Sequence, residues 1–204
     1  MNADHEYALL DTEAMFTGRV ISVHRDRVRM SDGSVVDREV VHHPGAVGVV
    51  ALDDQGAVLL VNQYRHPVRT RLDELPAGLL DVDGEPALVA AQRELAEEAG
   101  VSASVWHVLV DLLPSPGMSN EAIRLFLARD LRPVSGDERF QPEHEEITLT
   151  VHRIPLTDAV RRVYAGELTN AAAVTGVLAA AQGVATGWPG LRPADAPWAA
   201  RPRH

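Results

Sequence analysis

The chain has 204 residues, of which 46% are hydrophobic and 24% are charged, a composition typical of a globular protein with one well-packed domain. Its net charge of -10 argues against binding to nucleic acid, because phosphate affinity depends on clustered lysine and arginine, and the absence of cysteine excludes disulfides and thiolate metal sites. With no signal-peptide pattern at its start and no apolar stretch long enough to span a bilayer, we expect a cytoplasmic protein without a membrane partner.

The first predicted elements are two antiparallel pairs of strands. Residues 17–43 contain two strands joined by a turn at Asp32-Gly33-Ser34, because apolar residues alternate on both sides of the turn. A more apolar strand follows at 46–52. The polar residues Asp53 to Gly56 predict a hairpin turn into a return strand at 57–64.

The next predicted element is a helix that starts at Pro86 and stops before Gly100. Glu94, Glu97 and Glu98 share one face of it, because a helix advances roughly 100° per residue. Three like charges on one face repel each other, and a hard divalent cation such as Mg2+ removes that conflict. The alternative is a solvated acidic helix that binds no metal.

The second half of the chain continues with strands and ends in helices. The predicted elements are strands at 106–113 and 122–128, a mobile polar loop at 133–146, a strand at 147–154, and helices near 157–165 and 169–183. This order predicts an α/β fold, an α/β/α sandwich with a mixed sheet and an N-terminal antiparallel β arm. The expected division is an arm (1–43), a domain (44–186) and a Pro-rich tail (187–204) that is either disordered or draped on a partner.

The segment from Gly78 to Val101 resembles the Nudix box, Gly-x5-Glu-x7-Arg-Glu-U-x-Glu-Glu-x-Gly-U, where U is a bulky aliphatic residue. Every defined position from Glu85 onward matches, namely Glu85, Arg93, Glu94, Leu95, Glu97, Glu98, Gly100 and Val101. Gly78 stands seven residues before Glu85 instead of six, so the turn before the helix has one extra residue. The resemblance covers roughly residues 17–184 and is closest to ADP-ribose pyrophosphatases of the actinobacterial type. It implies the Nudix fold and an arm that builds a homodimer and covers the substrate.

The resemblance also implies a metal site. Glu94 and Glu98 are the expected principal ligands, and Glu97 is a third ligand or holds metal-bound water. The backbone carbonyl of Ala77 is expected to complete the site. Two or three Mg2+ or Mn2+ ions would neutralise a pyrophosphate and position the attacking water.

Two further roles complete the expected machinery. Arg93 is expected to pair with Glu85 and to orient the carboxylates from behind. The general base is expected on the polar loop, where the resemblance favours Glu146 and leaves Glu145 as the close competitor. His144 is a third option, equally consistent with an exposed histidine that has no role.

Four residues are candidates for binding the substrate. Pro116, sixteen residues beyond Gly100, resembles the signature of the ADP-ribose pyrophosphatase subgroup, although loops often contain a simple turn proline. Arg65 is the candidate for the pyrophosphate, because a guanidinium matches phosphate oxygens, and its alternative is a surface arginine at a strand end. Glu74 lies in a segment similar to the subgroup, and the resemblance implies that Glu39 accepts a hydrogen bond from the adenine amino group.

The expected function is the metal-dependent hydrolysis of ADP-ribose to AMP and ribose 5-phosphate, with a small-molecule nucleotide as the partner. Two departures leave open which nucleobase the substrate carries, because Asp73 and Arg38 stand where relatives often have an aromatic residue that could stack on it. One alternative is hydrolysis of another nucleoside diphosphate sugar. The other is a sensor that binds ADP-ribose without cleaving it, a class that tends to lose the acids of the box and to carry a DNA-binding domain.

Overall fold

The computed structural model describes residues 7–134 and 149–201. Its strands are β1 (Ala8–Thr17), β2 (Ser22–Arg29), β3 (Val35–His42), β4 (Ala46–Ala51), β5 (Ala57–Arg65), β6 (Thr70–Glu74), β7 (Ala77–Leu79), β8 (Val101–Leu112), β9 (Ile123–Pro133), β10 (Thr150–Pro155) and β11 (Arg192–Pro193). Its helices are α1 (Ala87–Ala99), α2 (Leu156–Tyr164) and α3 (Ala171–Thr186), and a 3-10 turn covers His66–Val68.

The N-terminal arm is a three-stranded antiparallel sheet in the order β1-β2-β3. The sequence predicted only the hairpin of β2 and β3. Strand β1 has register shifts between Leu9 and Asp11 and between Ala14 and Phe16, so its side chains do not follow the regular alternation that marks a strand. All ten of its residues are exposed, so none of them belongs to the core of the domain.

The central sheet has the order β11-β8-β9-β4-β7 and is mixed, because β4 and β9 run parallel while the other neighbours are antiparallel. This confirms the predicted mixed sheet. A second, antiparallel sheet has the order β10-β5-β6.

The predicted hairpin of residues 46–64 is corrected by this topology. The turn at residues 53–56 forms, but β4 and β5 then separate into different sheets and share only the bridge between Leu52 and Val58. The physical reason lies in β4, whose six residues are all buried. A strand with two apolar faces belongs in the interior of a covered sheet, where it pairs with strands distant in sequence.

Helices cover both faces of the central sheet and form two hydrophobic clusters. On one face, α1 contributes Ala90, Ala91 and Leu95. On the other face, α3 contributes Ala173, Val177 and Ala180, and α2 joins the same cluster. This arrangement confirms the α/β/α sandwich and both C-terminal helices. No helix in the described part of the chain is long and apolar enough to cross a membrane.

The C-terminal segment differs from the expectation of a disordered or partner-bound tail. Residues 188–198 pack on their own domain, and β11 pairs with β8 at Val108 and His107. Trp188 packs against the α3 cluster and Trp198 against the α1 cluster. The two tryptophans supply enough apolar surface to order a segment that its prolines alone would suggest is irregular.

Arg124 of β9 holds this segment in place. Its guanidinium is almost fully buried, bonds to both oxygens of Asp111 (2.7 and 3.1 Å), and donates to the backbone carbonyls of Ala196 (2.6 Å) and Pro197 (3.0 Å). It also lies 4.9 Å from the ring centroid of Trp198. We call Arg124, Asp111 and residues 192–198 the tail clip.

Candidate active site

Two carboxylates of α1, and that of Glu85 just before the helix, meet at one arginine. Arg93 donates to Glu94 (2.7 Å) and Glu97 (3.2 Å) from Nη1, and to both oxygens of Glu85 (3.2 and 3.1 Å) from Nε and Nη2. The hydrogen bonds to Glu85, aided by the charges of Glu94 and Glu85, raise the pKa of Arg93 above its ordinary value. The arginine therefore stays charged and offsets the repulsion among the acids.

Helix α1 begins and ends close to where the sequence predicted. Pro86 is the residue that precedes the first helical turn, so the helix starts one position later than expected. Gly100 adopts φ 64°, a left-handed conformation that favours glycine, and its N–H donates to Ala96. Glu94, Glu97 and Glu98 therefore all lie within the last two turns of α1.

Strand β7 lies directly against these carboxylates. The N–H of Ala77 donates to Oε2 of Glu98 at 2.9 Å. A Cβ atom on Gly78 would lie 2.0 Å from Oε1 of Glu94, so only glycine leaves room for this side chain. The extra residue between Gly78 and Glu85 therefore does not separate β7 from α1.

The described residues contain no ready-made group of three or more histidine, cysteine, aspartate or glutamate side chains around a metal position. Three of the acids, Glu85, Glu94 and Glu97, pair with Arg93 instead. The donor chemistry nevertheless fits a hard divalent cation, because carboxylate oxygens are the ligands that such ions select. The space kept open at Gly78 also allows the Glu94 carboxylate to lie against β7.

A cleft of about 660 Å³ adjoins β7. The residues that line it are Val20, His43, Ala46, Val47, Arg65, Pro67, Val68, Leu72, Glu74, Leu75, Ala77, Gly78, Leu79, Glu121, Ile123, Asn170 and Ala172. The structure thus brings three of the predicted site residues, Arg65, Glu74 and Ala77, to one cavity.

Arg65 and Glu74 form a bidentate pair within this cleft. The Nε of Arg65 lies 3.0 and 3.1 Å from the two Glu74 oxygens, and its Nη2 lies 2.6 Å from Oε2. Glu74 is buried and also accepts a hydrogen bond from Gln63 at 3.2 Å. In this arrangement Glu74 orients Arg65 toward the cleft, and a direct contact of Glu74 with a substrate stays a prediction.

The other predicted substrate residues lie elsewhere. Glu39 is exposed on β3 of the arm and Pro116 is exposed in the loop between β8 and β9, and neither is among the described residues that line the cleft. The base candidates Glu146, Glu145 and His144 lie outside the described residues.

Asp73, which stands where relatives often carry an aromatic residue, has polar partners of its own. Its carboxylate accepts hydrogen bonds from Asn62 and Arg162. Burial opposes its ionisation, but these hydrogen bonds and the charge of Arg162 outweigh that effect and lower the pKa of Asp73. The residue is a structural anchor between β6 and α2.

Two ionisable residues of the cleft, His43 and Glu121, had no predicted role. His43 follows β3, and Glu121 precedes β9. The loop that carries Pro116 brings Glu121 to His43, because Ser119 forms a bridge with Val41, and Asn120 accepts a hydrogen bond from the His43 backbone at 2.8 Å. Nothing in the sequence indicated that His43 and Glu121 meet, because they are 78 residues apart in the chain. The one local signal for each was a polar residue next to a buried strand.

Comparison with known proteins places these features in context. The family model described as "NUDIX domain" matches residues 42–171. An ADP-ribose pyrophosphatase of Mycobacterium tuberculosis is 48% identical over 200 residues, which cover 98% of this chain and 95% of the relative. An ADP-ribose pyrophosphatase of Bacillus subtilis is 35% identical over 159 residues, or 78% of this chain and 84% of the relative.

A solved structure supports the fold. The crystal structure of an ADP compounds hydrolase superimposes with a TM-score of 0.75 and 24% sequence identity, covering 90% of this chain and 97% of that chain. At this identity the similarity concerns the fold alone, and it agrees with the sandwich described above.

Proposed function

The chain belongs to the Nudix family, and we propose that it hydrolyses the pyrophosphate of ADP-ribose to AMP and ribose 5-phosphate in a reaction that depends on a divalent metal ion. The observation that carries the proposal is the contact between α1 and β7, where Glu94 and Glu98 lie against Gly78 and Ala77 beside the cleft. The 48% identity to an ADP-ribose pyrophosphatase over nearly the whole chain supports this choice of substrate.

Glu94, Glu97, Glu98 and the carbonyl of Ala77 would hold the metal, for which we propose two or three ions of Mg2+ or Mn2+. When bound, such ions supply positive charge that neutralises a pyrophosphate and makes water a better nucleophile. The chain's own part is to keep the carboxylates in place, through Arg93 on one side and the Ala77 N–H on the other.

Glu146 is the proposed general base, which takes the proton from the attacking water, with Glu145 as the alternative. Arg65, oriented by Glu74, is proposed to bind a phosphate oxygen, because it is the one arginine or lysine among the described residues that line the cleft. Pro116 and Glu39 are proposed to contact the substrate when the arm and its loop lie over the cleft.

The proposal extends to the assembly and the setting of the protein. We propose a cytoplasmic homodimer built through the arm, with a small nucleotide as its partner and no nucleic acid or membrane bound. Support for the dimer comes from the arm's exposed apolar side chains, which are Tyr7, Leu9, Leu10, Met15, Phe16, Val20 and Val35.

A turnover screen tests the reaction. ADP-ribose, GDP-mannose, NADH and diadenosine polyphosphates would be incubated with the protein in Mg2+ and in EDTA. We expect AMP to be released from ADP-ribose in Mg2+ and the release to stop in EDTA. Preference for another substrate would reject the assignment of ADP-ribose, and tight binding of ADP-ribose without any turnover would favour the sensor.

Glu98→Gln tests the metal assignment. Glutamine keeps an oxygen that accepts the Ala77 N–H, so the fold should remain while the charge that a metal needs is lost. We expect turnover to fall by about 100-fold or more, with the melting temperature nearly unchanged. Glu167→Gln is the matched control, because Glu167 is well exposed and far along the chain on the α2–α3 connection. Normal turnover of Glu98→Gln at saturating Mg2+ would refute the assignment.

A further inference from the structure

A second cavity, of about 590 Å³, lies at the other end of the central strands from the cleft. Strand β4 leads from Ala46 at the cleft to Leu52 at this cavity, and β9 leads from Ile123 at the cleft to Arg129. A strand of six residues, the length of β4, spans about 20 Å, so the two cavities are separate. The residues that line the second one, which we call the arginine cavity, are Leu52, Asp53, Asp54, Val101, Val105, Arg129, Asp130, Leu131, Arg132, Pro133 and Arg153.

The arginine cavity lies where the two sheets separate. The turn at residues 53–56 carries the chain from β4 in the central sheet to β5 in the second sheet. The lining accordingly comes from both sheets, with Asp53 of the turn and Arg153 of β10 on the side of the second sheet and the residues of β8 and β9 on the side of the central sheet. The gap is therefore a consequence of the fold itself.

Two of the three arginines in this cavity have no carboxylate partner. Neither Arg129 nor Arg132 forms an ion pair within the part of the chain that the structure describes, and the buried Nε of Arg129 has no hydrogen-bond partner there. The guanidinium of Arg129 lies 5.6 Å from the ring centroid of Trp188, a contact that holds it in place without accepting its hydrogens. A buried donor without an acceptor is unfavourable, and an oxygen of a ligand would provide one.

The third arginine is neutralised by Asp53. The Oδ1 atom of Asp53 accepts hydrogen bonds from the backbone N–H groups of Gln55 (3.0 Å) and Ala57 (2.8 Å). Its Oδ2 atom lies 3.3 Å from Nη1 of Arg153, and the Asp53 side chain is only 6% exposed. Asp53 is thus committed to its own turn and to Arg153.

The other two acids do little to offset the charge of Arg129 and Arg132. Asp130 and Asp54 are both exposed, and the carboxylate of Asp130 accepts a hydrogen bond from the hydroxyl of Ser104 at 2.8 Å. Water and salt screen charges in such positions. The two guanidinium groups without carboxylate partners therefore give the cavity a preference for an anion.

The rest of the lining indicates what the anion is attached to. Leu52, Val101, Val105, Leu131 and Pro133 are apolar, and the first two are buried. A volume of about 590 Å³ lies within the range of about 300–1,000 Å³ that is usual for sites of small organic ligands, and it exceeds what a single phosphate ion fills. The cavity suits a ligand with a charged end and a ring that packs on apolar side chains.

We propose that the arginine cavity is a second ligand site, which binds a phosphate monoester attached to a ring, of about the size of a nucleoside monophosphate. Arg129 and Arg132 bind the phosphate oxygens, because a guanidinium can donate two parallel hydrogen bonds to such a group. The apolar side chains contact the ring. The site goes beyond the proposed hydrolysis and does not depend on it.

The test is calorimetry in EDTA with AMP, ribose 5-phosphate, inorganic phosphate and adenosine as probes. Arg132→Gln removes a guanidinium that has no ion pair to lose in the described part of the chain, so the melting temperature should not change. Arg129→Gln is the second variant, and Arg65→Gln reports on binding in the cleft. Arg161→Gln is the matched control, because Arg161 is highly exposed on α2.

We expect AMP to bind the wild type and to bind Arg132→Gln and Arg129→Gln at least about tenfold more weakly, the loss expected for hydrogen bonds to a charged group. Arg65→Gln and Arg161→Gln should retain this binding. Adenosine and inorganic phosphate should each bind more weakly than AMP, because one lacks the phosphate and the other lacks the ring. Adenosine that binds as tightly as AMP, or AMP that does not bind at about 10 mM, would overturn the proposal.

Nuclear magnetic resonance of the labelled protein locates the bound AMP. The backbone amide signals of Asp54, Val105 and Leu131 should shift, whereas those of Ala77 and Gly78 at the cleft should not. Shifts confined to the cleft, together with a loss of affinity in Arg65→Gln and none in Arg132→Gln, would place AMP in the cleft and reject the second site. Because no turnover is measured, failure of the proposed hydrolysis would not imitate either result.

Discussion

Arg93 is the residue on which the geometry of the candidate site depends most. One planar guanidinium reaches Glu85, Glu94 and Glu97 at once, which a compact ammonium group cannot do. The arginine thereby links Glu85, two residues before α1, to Glu94 and Glu97 on the helix itself. Its contribution is to hold the acids in place before any cation arrives.

Arg93→Lys should therefore lower turnover by about 10- to 100-fold, the usual range for loss of a residue that orients metal ligands. The measurement is kcat against the concentration of Mg2+, and we expect the metal requirement to rise. Arg161→Lys is the control, because Arg161 forms a comparable pair with Asp158 on a highly exposed surface of α2. Identical behaviour of the two variants would contradict the role of Arg93.

Gly78→Ala tests the close contact between β7 and α1. The added methyl group would lie 2.0 Å from a Glu94 oxygen, so the carboxylate must move. We expect a large loss of turnover and weaker binding of Mg2+ by calorimetry, with circular dichroism unchanged. In Gly117→Ala the same methyl group would meet no atom within 4 Å, and Mg2+ binding should be normal. Unaltered Mg2+ binding by Gly78→Ala would show that Glu94 is not a ligand.

The residues of the site could be predicted only in part. The spacing of Glu94, Glu97 and Glu98 fixes their common position on a helix, because helical geometry is local. The contact of His43 with Glu121 depends on where β3 ends and β9 begins in space, and no local pattern encodes it. The burial of Glu74 behind Arg65 is not encoded locally either, since it follows from the pairing of β5 with β6.

At the scale of the elements, the tail clip joins the C-terminal segment to the central sheet through the carboxylate of Asp111. Asp111 accepts from Arg124 and from Arg192, and both partners belong to the clip. Burial opposes ionisation of Asp111, but the hydrogen bonds and charges of the two arginines outweigh it and lower its pKa.

The sign of the pH dependence follows from that lowered pKa. A carboxylate that is more acidic in the folded state adds stability above its unfolded pKa of about 3.9, and this stability is lost as the pH falls through the folded pKa. Asp111→Asn should reduce the free energy of unfolding by about 3–5 kcal/mol at pH 7, because it leaves the buried Arg124 without its partner. The difference from the wild type should shrink between about pH 5 and pH 2.

Urea unfolding at a series of pH values measures this effect. Asp158→Asn is the control, since its pair with Arg161 is exposed and should contribute little at any pH. A difference between Asp111→Asn and the wild type that grows as the pH falls would have the wrong sign and would exclude the assignment.

The elements themselves were predictable where their patterns are regular. Helix α1 has a proline before it and a glycine after it, and its bounds were found to within a residue or two. The partners of β4 were not predictable, because a fully apolar strand does not reveal which strand it joins. Strand β1 was absent from the prediction because its two register shifts interrupt the alternation.

At the scale of the molecule, the arm is the part of the chain with the most exposed apolar surface. Seven of its large apolar side chains are exposed, and none of the residues that the structure describes buries β1. The contacts that join the arm to the domain include those of Val41 with Met118 and Asn120. In the proposed homodimer, the arm of the second copy would cover these apolar side chains.

Phe16→Asp should convert that homodimer to a monomer, because a charge would be placed in the apolar contact. Sedimentation equilibrium measures the change, and we expect KM for ADP-ribose to rise if the arm covers the substrate. Val184→Asp is the control, since Val184 is equally exposed but lies on α3. A wild type that is monomeric at micromolar concentration would reject the homodimer outright.

The pairing of β11 with β8 has a consequence for how the protein behaves at high concentration. A strand at the border of a sheet presents unpaired N–H and C=O groups that can recruit a strand from another molecule. Two residues of β11 occupy part of that border, and Trp188 and Trp198 pack on either side of the pairing. A chain shortened before Trp188 would expose β8 as a template for intermolecular strand addition, and its first symptom would be precipitation rather than lost catalysis.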